Sequence, residues 1–121
     1  MIRVFLVDDQ NLVRQGVRSL LALSDDIIEV VAEASDGREA VERIPEVKPD
    51  VVLMDLVMPE CDGKQALGRS LAQDPAARVV ILSSLGAQSD IEECLKLGAR
   101  SYLQKPIDPE VMDRVLHEAV A

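Results

Sequence analysis

Three aspartates and a lysine stand where short apolar runs of the sequence end, and the three carboxylates could together hold a metal ion. Asp8 and Asp9 follow one such run, Asp55 follows a second, and Lys105 follows a third. Neighbouring carboxylates repel one another and tend to stay partly protonated unless a cation offsets their charge. Because ligands that offer only oxygen favour Mg²⁺ over zinc, these acids predict a magnesium site.

The same residues could carry out phosphoryl transfer, with Asp55 as the nucleophile. A carboxylate that attacks phosphorus forms an acyl phosphate, a chemistry that aspartyl-phosphate ATPases use. Such a reaction depends mainly on positioning and on neutralising the charge of the phosphoryl oxygens. Mg²⁺ and Lys105 would neutralise that charge. Ser83, which follows the apolar run 79–82, could donate a hydrogen bond to one of the oxygens.

The elements that must position these side chains are short strands alternating with helices. Apolar runs rich in β-branched residues, each too short for a typical helix, occur at 2–7, 27–33, 51–54, 79–82 and 101–103. After each run the apolar residues recur at helical spacing. Strict alternation of this kind predicts an α/β fold with a doubly wound, five-stranded parallel sheet. The carboxyl ends of such strands face one crevice, so the acids, the serine and the lysine should meet there.

Capping and turn residues indicate where the helices begin and end. Asp36 and Ser89 each stand three residues before a glutamate, which is the spacing of a capping box. Gly98 should end the fourth helix, and Asp108, which precedes a proline and a glutamate, should begin the fifth. Pro45 lacks a backbone donor and should end the second helix early.

Length, charge and cysteine usage limit the classes of function. The 121 residues are expected to form one domain, 1–121. A formal net charge of −9 would repel a phosphate backbone, which argues against direct nucleic-acid binding. No apolar stretch is long enough to span a bilayer and the first residues are unlike a signal peptide, so we expect a cytoplasmic protein without membrane contact. Cys61 and Cys94 lack metal-ligand spacing and should be unpaired thiols.

The order and spacing of several motifs resemble the receiver domain of two-component response regulators, over essentially the whole chain. The matching elements are Val-Asp-Asp at 7–9, Lys-Pro-Asp at 48–50, Met-Asp-Leu-Val-Met-Pro at 54–59 with Asp-Gly at 62–63, Leu-Ser-Ser at 82–84 and Lys-Pro at 105–106. Each motif alone would be a weak signal, but their order and strand-end positions together are specific. The resemblance implies a flavodoxin-like (βα)5 fold with strand order 2-1-3-4-5.

The resemblance also implies a role for each acidic residue. Asp55 would be the phosphoacceptor, and Asp9, Asp55 and the backbone carbonyl of Val57 would bind Mg²⁺ directly. Asp8 would act mainly through a metal-bound water, and Lys105 would be the cation that faces the phosphoryl group. The peptide bond that follows Lys105 could be cis.

Ser83 and Tyr102 would form a switch pair by the same resemblance. They would connect phosphorylation to an output surface on the fourth helix, the fifth strand and the fifth helix, which would contact an output domain or a partner protein. The phosphoryl group would come from a sensor histidine kinase or a phosphotransfer protein. Such a domain is not an enzyme except that it catalyses its own phosphorylation and dephosphorylation, and phosphorylation could also link two copies as a homodimer.

Two forms of output fit the sequence. The segment 9–16 is similar to receivers that precede a helix-turn-helix DNA-binding domain, although many of those carry His where Gln10 stands. That similarity favours transcriptional regulation through a domain outside this chain. The Lys-Pro motif at 105–106 is more like receivers in general. A stand-alone single-domain regulator that acts by protein contact is therefore the alternative.

Other functions and roles compete with these predictions. An Mg²⁺-dependent aspartyl phosphatase usually carries a second acid two residues after its nucleophile, where this chain has Val57. A flavin-binding module of the same topology would place hydroxyls and amides after its first strand, whereas the pair Asp8 and Asp9 would repel the flavin phosphate. Without the other motifs that pair could be a solvated turn. Tyr102 could be a packing residue at a sheet edge.

Overall fold

The computed structural model describes residues 1–23, 28–58, 61–84 and 87–121. Within these ranges five strands alternate with five helices. In chain order they are β1 (Ile2–Val7), α1 (Asn11–Leu21), β2 (Ile28–Ala34), α2 (Gly37–Val47), β3 (Val51–Asp55), α3 (Gly63–Gln73), β4 (Val79–Ser83), α4 (Gln88–Leu97), β5 (Ser101–Gln104) and α5 (Pro109–Val120). None of the helices in these ranges combines the length and the apolar character needed to cross a lipid bilayer.

The strands form one parallel sheet with the order β2-β1-β3-β4-β5. The predicted doubly wound α/β sheet and its flavodoxin-like strand order are therefore confirmed. β3 and β4 each extend one residue beyond the predicted runs, so that Asp55 and Ser83 are the last residues of buried strands. Ile27, with which the second run was expected to begin, lies outside the described residues, and so does Pro59 of the Met-Pro motif.

Apolar side chains cover both faces of the sheet. Alternate residues of β1 belong to different clusters, with Phe5 and Val7 in one and Val4 and Leu6 in the other. The first cluster packs the sheet against α2, α3 and α4, and the second packs it against α1 and α5. β3 and β4 are buried along their whole length, as parallel strands with both faces covered should be. Polar residues of these strands can therefore reach solvent or a ligand only at the strand ends.

Three predicted helix ends are confirmed. The side chain of Asp36 accepts a hydrogen bond from the N–H of Glu39 at 2.8 Å, at the start of α2. Asp108 accepts one from the N–H of Glu110 at 2.8 Å, at the start of α5. Each bond satisfies a donor that the first turn of a helix leaves unpaired. Gly98 ends α4 with a φ of 121°, a conformation that glycine adopts without a steric penalty.

Two predicted helix boundaries are wrong. α4 begins at Gln88 with Ala87 at the N-cap position, so Ser89 lies inside the first turn and does not cap the helix. The first bond of that turn runs from the N–H of Ile91 to the carbonyl of Ala87, at 2.9 Å. α2 does not end at Pro45 but continues for two further residues.

The end of α2 is held by bonds that explain why Pro45 does not terminate it. Lys48 adopts a φ of 50°, and its N–H donates to the carbonyl of Ile44 at 2.9 Å. The guanidinium of Arg3 in β1 donates to the carbonyl of Val47 at 2.9 Å and to that of Lys48. These bonds satisfy carbonyls that a helix end leaves unpaired, and they stabilise the two residues of α2 that follow Pro45.

Candidate functional site

The carboxyl ends of four strands form one acidic site. Asp8 and Asp9 follow β1, Asp55 ends β3, Ser83 ends β4 and Lys105 follows β5. Each of the three aspartates offers a carboxylate oxygen, and these oxygens lie within 4.8 Å of one another. Residues that are up to 97 positions apart in sequence therefore contact one another at this edge of the sheet.

Asp8 is completely buried, and its neighbours fix its orientation. One carboxylate oxygen accepts the N–H of Gln10 at 2.9 Å. The other lies 3.3 Å from the Nζ atom of Lys105. The backbone N–H of Asp8 donates to the carbonyl of Ala34 in β2 at 3.1 Å. Asp9 follows in the same turn and is exposed, so the turn presents one buried and one accessible carboxylate.

Lys105 bridges two of the three carboxylates. Its Nζ atom lies 3.3 Å from an oxygen of Asp8 and 3.3 Å from an oxygen of Asp55. Its backbone N–H donates to the carbonyl of Ser83 at 2.8 Å, which fixes the start of the loop after β5. The Lys105–Pro106 peptide bond is cis. Three carboxylates thus face one ammonium group, and this excess of negative charge favours a divalent cation.

The electrostatic environment raises the pKa of Asp55 above its ordinary value. Burial of the carboxyl group is the largest cause, and the charge of Asp8 adds to it. The ammonium group of Lys105 lowers the pKa of Asp55 but does not cancel the increase. The ionised form of Asp55 is therefore disfavoured in the folded protein, and a bound cation would relieve that cost.

The side chains of Ser83, Tyr102 and Val57 differ in their exposure to solvent. Ser83 is 1% exposed, and its Oγ atom has no hydrogen-bond partner among the residues that the structure describes. The side chain of Tyr102 is partly exposed on β5, and that of Val57 is 78% exposed in the segment after β3. The hydroxyl of Ser83 can thus serve a ligand at the acidic site. Tyr102 is not enclosed in the core and has space on its solvent side.

Arg14 supports the acidic turn, although sequence reasoning did not select it. Its guanidinium donates to the backbone carbonyl of Asp8 and, at 3.1 Å, to the carboxylate of Glu33 in β2. Arg18, one turn further along α1, contacts the same carboxylate at 2.6 Å. Arg14 therefore connects the Asp8–Asp9 turn to β2. The only hint in the sequence was its place in the segment 9–16.

Gly63 allows the chain after β3 to fold back against Asp55. Its N–H donates to the carbonyl of Leu56 at 2.9 Å, and a Cβ atom at this position would overlap the backbone carbonyl of Asp55. A capping box that had not been predicted begins α3 here, because Asp62 accepts from the N–H of Gln65 and the Gln65 side chain accepts from Asp62. The Asp-Gly motif thus fixes the backbone on both sides of the loop after β3.

The thiols of Cys61 and Cys94 take no part in the acidic site. Both cysteines of the chain are buried, and neither forms a disulfide. Burial raises the pKa of each thiol above its ordinary value. Neither thiol is therefore activated as a nucleophile.

Comparison with known proteins identifies the family. The sequence profile described as "Response regulator receiver domain" matches residues 4–117. The chain belongs to this family. It is 41% identical to the chemotaxis protein CheY of Listeria monocytogenes over 116 residues, which cover 96% of this chain and 93% of that protein. It is 43% identical to the uncharacterized transcriptional regulatory protein YhcZ of Bacillus subtilis over 117 residues, which cover 95% of this chain and 54% of YhcZ.

The receiver fold is also shared with solved structures. A chain in the crystal structure of the CheX-CheY-BeF3-Mg²⁺ complex from Borrelia burgdorferi superimposes with a TM-score of 0.90 and 26% identity, covering 99% of this chain and 90% of that one. The present chain is thus a receiver domain of two-component response regulators, and such domains are generally signalling domains rather than enzymes. Receiver domains bind Mg²⁺ at an acidic pocket, and this receiver has an acidic cluster of that kind.

Proposed function

We propose that this receiver domain, residues 1–121, accepts a phosphoryl group on Asp55 from a sensor histidine kinase or a phosphotransfer protein. The observation that carries the proposal is the bridge that Lys105 makes between Asp8 and Asp55, at the point where three carboxylates meet. A lysine bridge between two buried carboxylates holds the nucleophile beside a cation before the substrate arrives. Preorganised charge of this sort stabilises the charge that develops during phosphoryl transfer.

The residues at the site fit Mg²⁺, which the family implies. Asp9, Asp55 and the backbone carbonyl of Val57 would hold the ion directly, and Asp8 would hold it through a water molecule. The fit rests on two observations: the donor set consists of oxygen atoms, and burial together with the charge of Asp8 raises the pKa of Asp55. When bound, the ion supplies positive charge that neutralises the phosphoryl oxygens.

Each remaining residue has a defined part in the transfer step. An oxygen of the Asp55 carboxylate attacks the phosphorus of a phosphohistidine, the P–N bond breaks, and the imidazole leaves with the electron pair and takes up a proton. Lys105 donates a hydrogen bond to one phosphoryl oxygen and Ser83 to another, which satisfies the unpartnered Oγ atom. The domain would catalyse this reaction, and the later hydrolysis of the acyl phosphate, only on itself.

Ser83 and Tyr102 would convert phosphorylation into a change at the output surface. When Ser83 moves toward the phosphoryl group, it vacates space into which the ring of Tyr102 can turn. Tyr102 lines a cleft of about 380 Å³ between β5 and α5, together with Val111 and Arg114. A partner that binds α4, β5 and α5 would contact this cleft. The chain has one tyrosine and no tryptophan, so tyrosine fluorescence reports on this residue directly.

The output itself would be transcriptional regulation through a DNA-binding domain outside this chain. The match to YhcZ supports this proposal, because the chain aligns with about half of that transcriptional regulator. The alternative is a stand-alone regulator that acts by protein contact, and the match across nearly all of CheY supports it. In either case the domain would work in the cytoplasm without touching DNA itself, and phosphorylation could link two copies through the output surface.

Incubation with acetyl phosphate tests the proposed phosphorylation. With Mg²⁺ present, the intact mass should increase by one phosphoryl group in the parent and should not change in Asp55→Asn. Asp50→Asn is the matched control, since Asp50 stands at the opposite end of β3 and accepts the N–H of Arg3 at 2.8 Å, which an asparagine can also do. Equal labelling of the parent and Asp55→Asn would refute the assignment.

A further inference from the structure

A second cavity lies at the amino end of the sheet, on the side opposite the acidic cluster. It has a volume of about 420 Å³, is open to solvent on one side, and is lined by the ends of α2 and α3 and by the segments that lead into β3 and β4. Ile44, Pro45 and Val52 contribute to an apolar wall. Cavities of this size that combine an apolar wall with a few polar groups are typical of small-molecule sites.

Two buried donors in this cavity have no partner. Among the residues that the structure describes, three buried polar side-chain atoms lack a hydrogen bond: the Oγ atoms of Ser70 and Ser83 and the Nε atom of Arg78. Ser83 belongs to the acidic site, where a ligand is expected. Ser70, which is 1% exposed, and Arg78 both line the second cavity. Buried polar groups are nearly always hydrogen-bonded, and two unpaired donors in one cavity therefore indicate a missing acceptor.

The charges around the cavity favour an anion. Lys48 and Arg78 line it with positive charge, and Asp74 is the one carboxylate among the described residues of the lining. One carboxylate oxygen of Asp74 already accepts the N–H of Ala76 at 3.0 Å. The carbonyls at the end of α2 would repel an anion, but the guanidinium of Arg3 bonds to two of them. The lining therefore carries an excess of positive charge in a chain whose net charge is −9.

We propose that this cavity binds a small organic carboxylate. One oxygen would accept the hydroxyl of Ser70 and the other the Nε–H of Arg78, while Lys48 adds a second positive charge. The hydrocarbon part would pack against the wall formed by Ile44 and Val52. A carboxylate suits the site because it has one oxygen for each of the two donors that line the cavity. An organic carboxylate also has a hydrocarbon part that can pack against the apolar wall. The site shares no residue with the acidic cluster and is independent of the function of Asp55.

Titration of ¹⁵N-labelled protein with sodium butyrate tests this site. Backbone amide signals of Val52, Ser70 and Arg78 should shift in a saturable way, with a dissociation constant of about 1 mM, a reasonable affinity for a ligand of this size. Butyramide has the same shape without the charge, and it should produce no saturable shift. Sodium chloride at equal ionic strength controls for salt. The proposal is refuted if the shifts do not saturate at a butyrate concentration ten times the expected dissociation constant, or if butyramide produces equal shifts.

Matched variants separate specific binding from a general charge effect. Arg78→Met should weaken butyrate binding about 10-fold, because it removes a charge-assisted hydrogen bond. Arg69→Met removes an exposed cation of α3 that does not line the cavity, next to Ser70 in the sequence, and should leave binding unchanged. If Arg78→Met does not fold, Ser70→Ala applies the same test, with a loss of about 5-fold expected from one neutral hydrogen bond. Unchanged affinity in these variants, or a crystal structure with butyrate in which only an ordered water bridges the two donors, would refute the proposal.

Discussion

The two ends of the sheet differ in the kind of polar group that folding leaves unsatisfied. At the carboxyl end, Asp8 and Asp55 share the single ammonium group of Lys105, and like charges remain in contact. At the amino end, the Oγ atom of Ser70 and the Nε atom of Arg78 are buried donors without an acceptor among the described residues. The residues between the two ends are apolar and fully packed. Real proteins leave polar groups unsatisfied mainly at functional sites. The kind of group that is unsatisfied indicates which ligand would complete the site.

The two ends are joined by β3 but should behave independently. Val52 lines the amino-end cavity and Asp55 ends the strand at the acidic site, with Leu53 and Met54 fully buried between them. Sites that share no partner usually contribute additively to stability. Substitutions at one end should therefore leave ligand binding at the other end unaffected.

The largest effect is expected from Lys105→Met at the carboxyl end. Removing the ammonium group leaves the phosphoryl oxygens without a preorganised cation, and the rate of phosphorylation by acetyl phosphate should fall about 100-fold. Lys64→Met is the matched control, because Lys64 on α3 also contacts two carboxylates. These belong to Asp90, at 3.1 Å, and Glu93, at 2.6 Å, which lie on α4. Equal rates in the two variants would remove Lys105 from the mechanism.

Arg14→Ala should weaken Mg²⁺ binding about 10-fold, the lower part of the range for residues that hold metal ligands in place. The variant loses the bond to the Asp8 carbonyl together with the Glu33 contact. Arg18→Ala loses only a contact to Glu33 among the described residues and should bind Mg²⁺ with nearly the parent affinity. Isothermal titration calorimetry measures both constants. If the two variants lose affinity equally, the loss comes from removing a positive charge near the acidic site and not from the hydrogen bond between Arg14 and the Asp8 carbonyl.

Asp55→Asn should make the metal-free protein more stable at pH 7, by roughly 3 °C in midpoint temperature. The pKa of Asp55 is raised by folding, so its contribution to stability is present below its ordinary value of 3.8 and is lost as pH rises through the raised pKa. Asparagine has no such dependence, and the difference between the variant and the parent should shrink as pH is lowered. Thermal unfolding in the presence of a chelator measures this. A difference that stays constant with pH would contradict the assigned cause.

The smallest effects are expected from Ser70→Ala and Ser83→Ala, one at each end. Neither hydroxyl has a partner in the described part of the chain, so removing it should change the free energy of unfolding by less than about 0.5 kcal/mol or should stabilise the protein. Urea unfolding without ligands measures both variants. A loss of about 1 kcal/mol in either one would show that its hydroxyl is already hydrogen-bonded in the free protein.

The sequence predicted the carboxyl end of the sheet much better than the amino end. The strand-end acids could be predicted because the apolar runs before them are local in the sequence. Strict alternation with helices predicts a parallel sheet, and the resemblance to receiver domains implies its strand order. The support from Arg14 could not be predicted in this way, because its partner Glu33 lies 19 residues away on another element. The pairing of Ser70 with Arg78 in one cavity was equally hidden, since each residue alone is typical of a helix or a connecting segment.

The two wrong helix boundaries have the same origin. Pro45 was judged by the donor it lacks, but Arg3 of a distant strand satisfies the carbonyls at the end of the same helix. Ser89 was judged by its spacing from a glutamate, yet α4 begins one residue before it. Local rules identify residues that are able to cap or end a helix. Tertiary contacts decide whether they do so.

Borohydride trapping identifies which aspartate carries the phosphoryl group. Borohydride reduces an acyl phosphate to an alcohol, so a phosphorylated aspartate becomes homoserine and can be located by peptide mass mapping. After incubation with acetyl phosphate and Mg²⁺, homoserine should appear at position 55 and at neither Asp8 nor Asp9, and it should be absent when the metal is chelated. Homoserine at position 8 or 9 would contradict the assignment of Asp55 as the phosphoacceptor. Equal conversion without the metal would contradict the requirement for Mg²⁺.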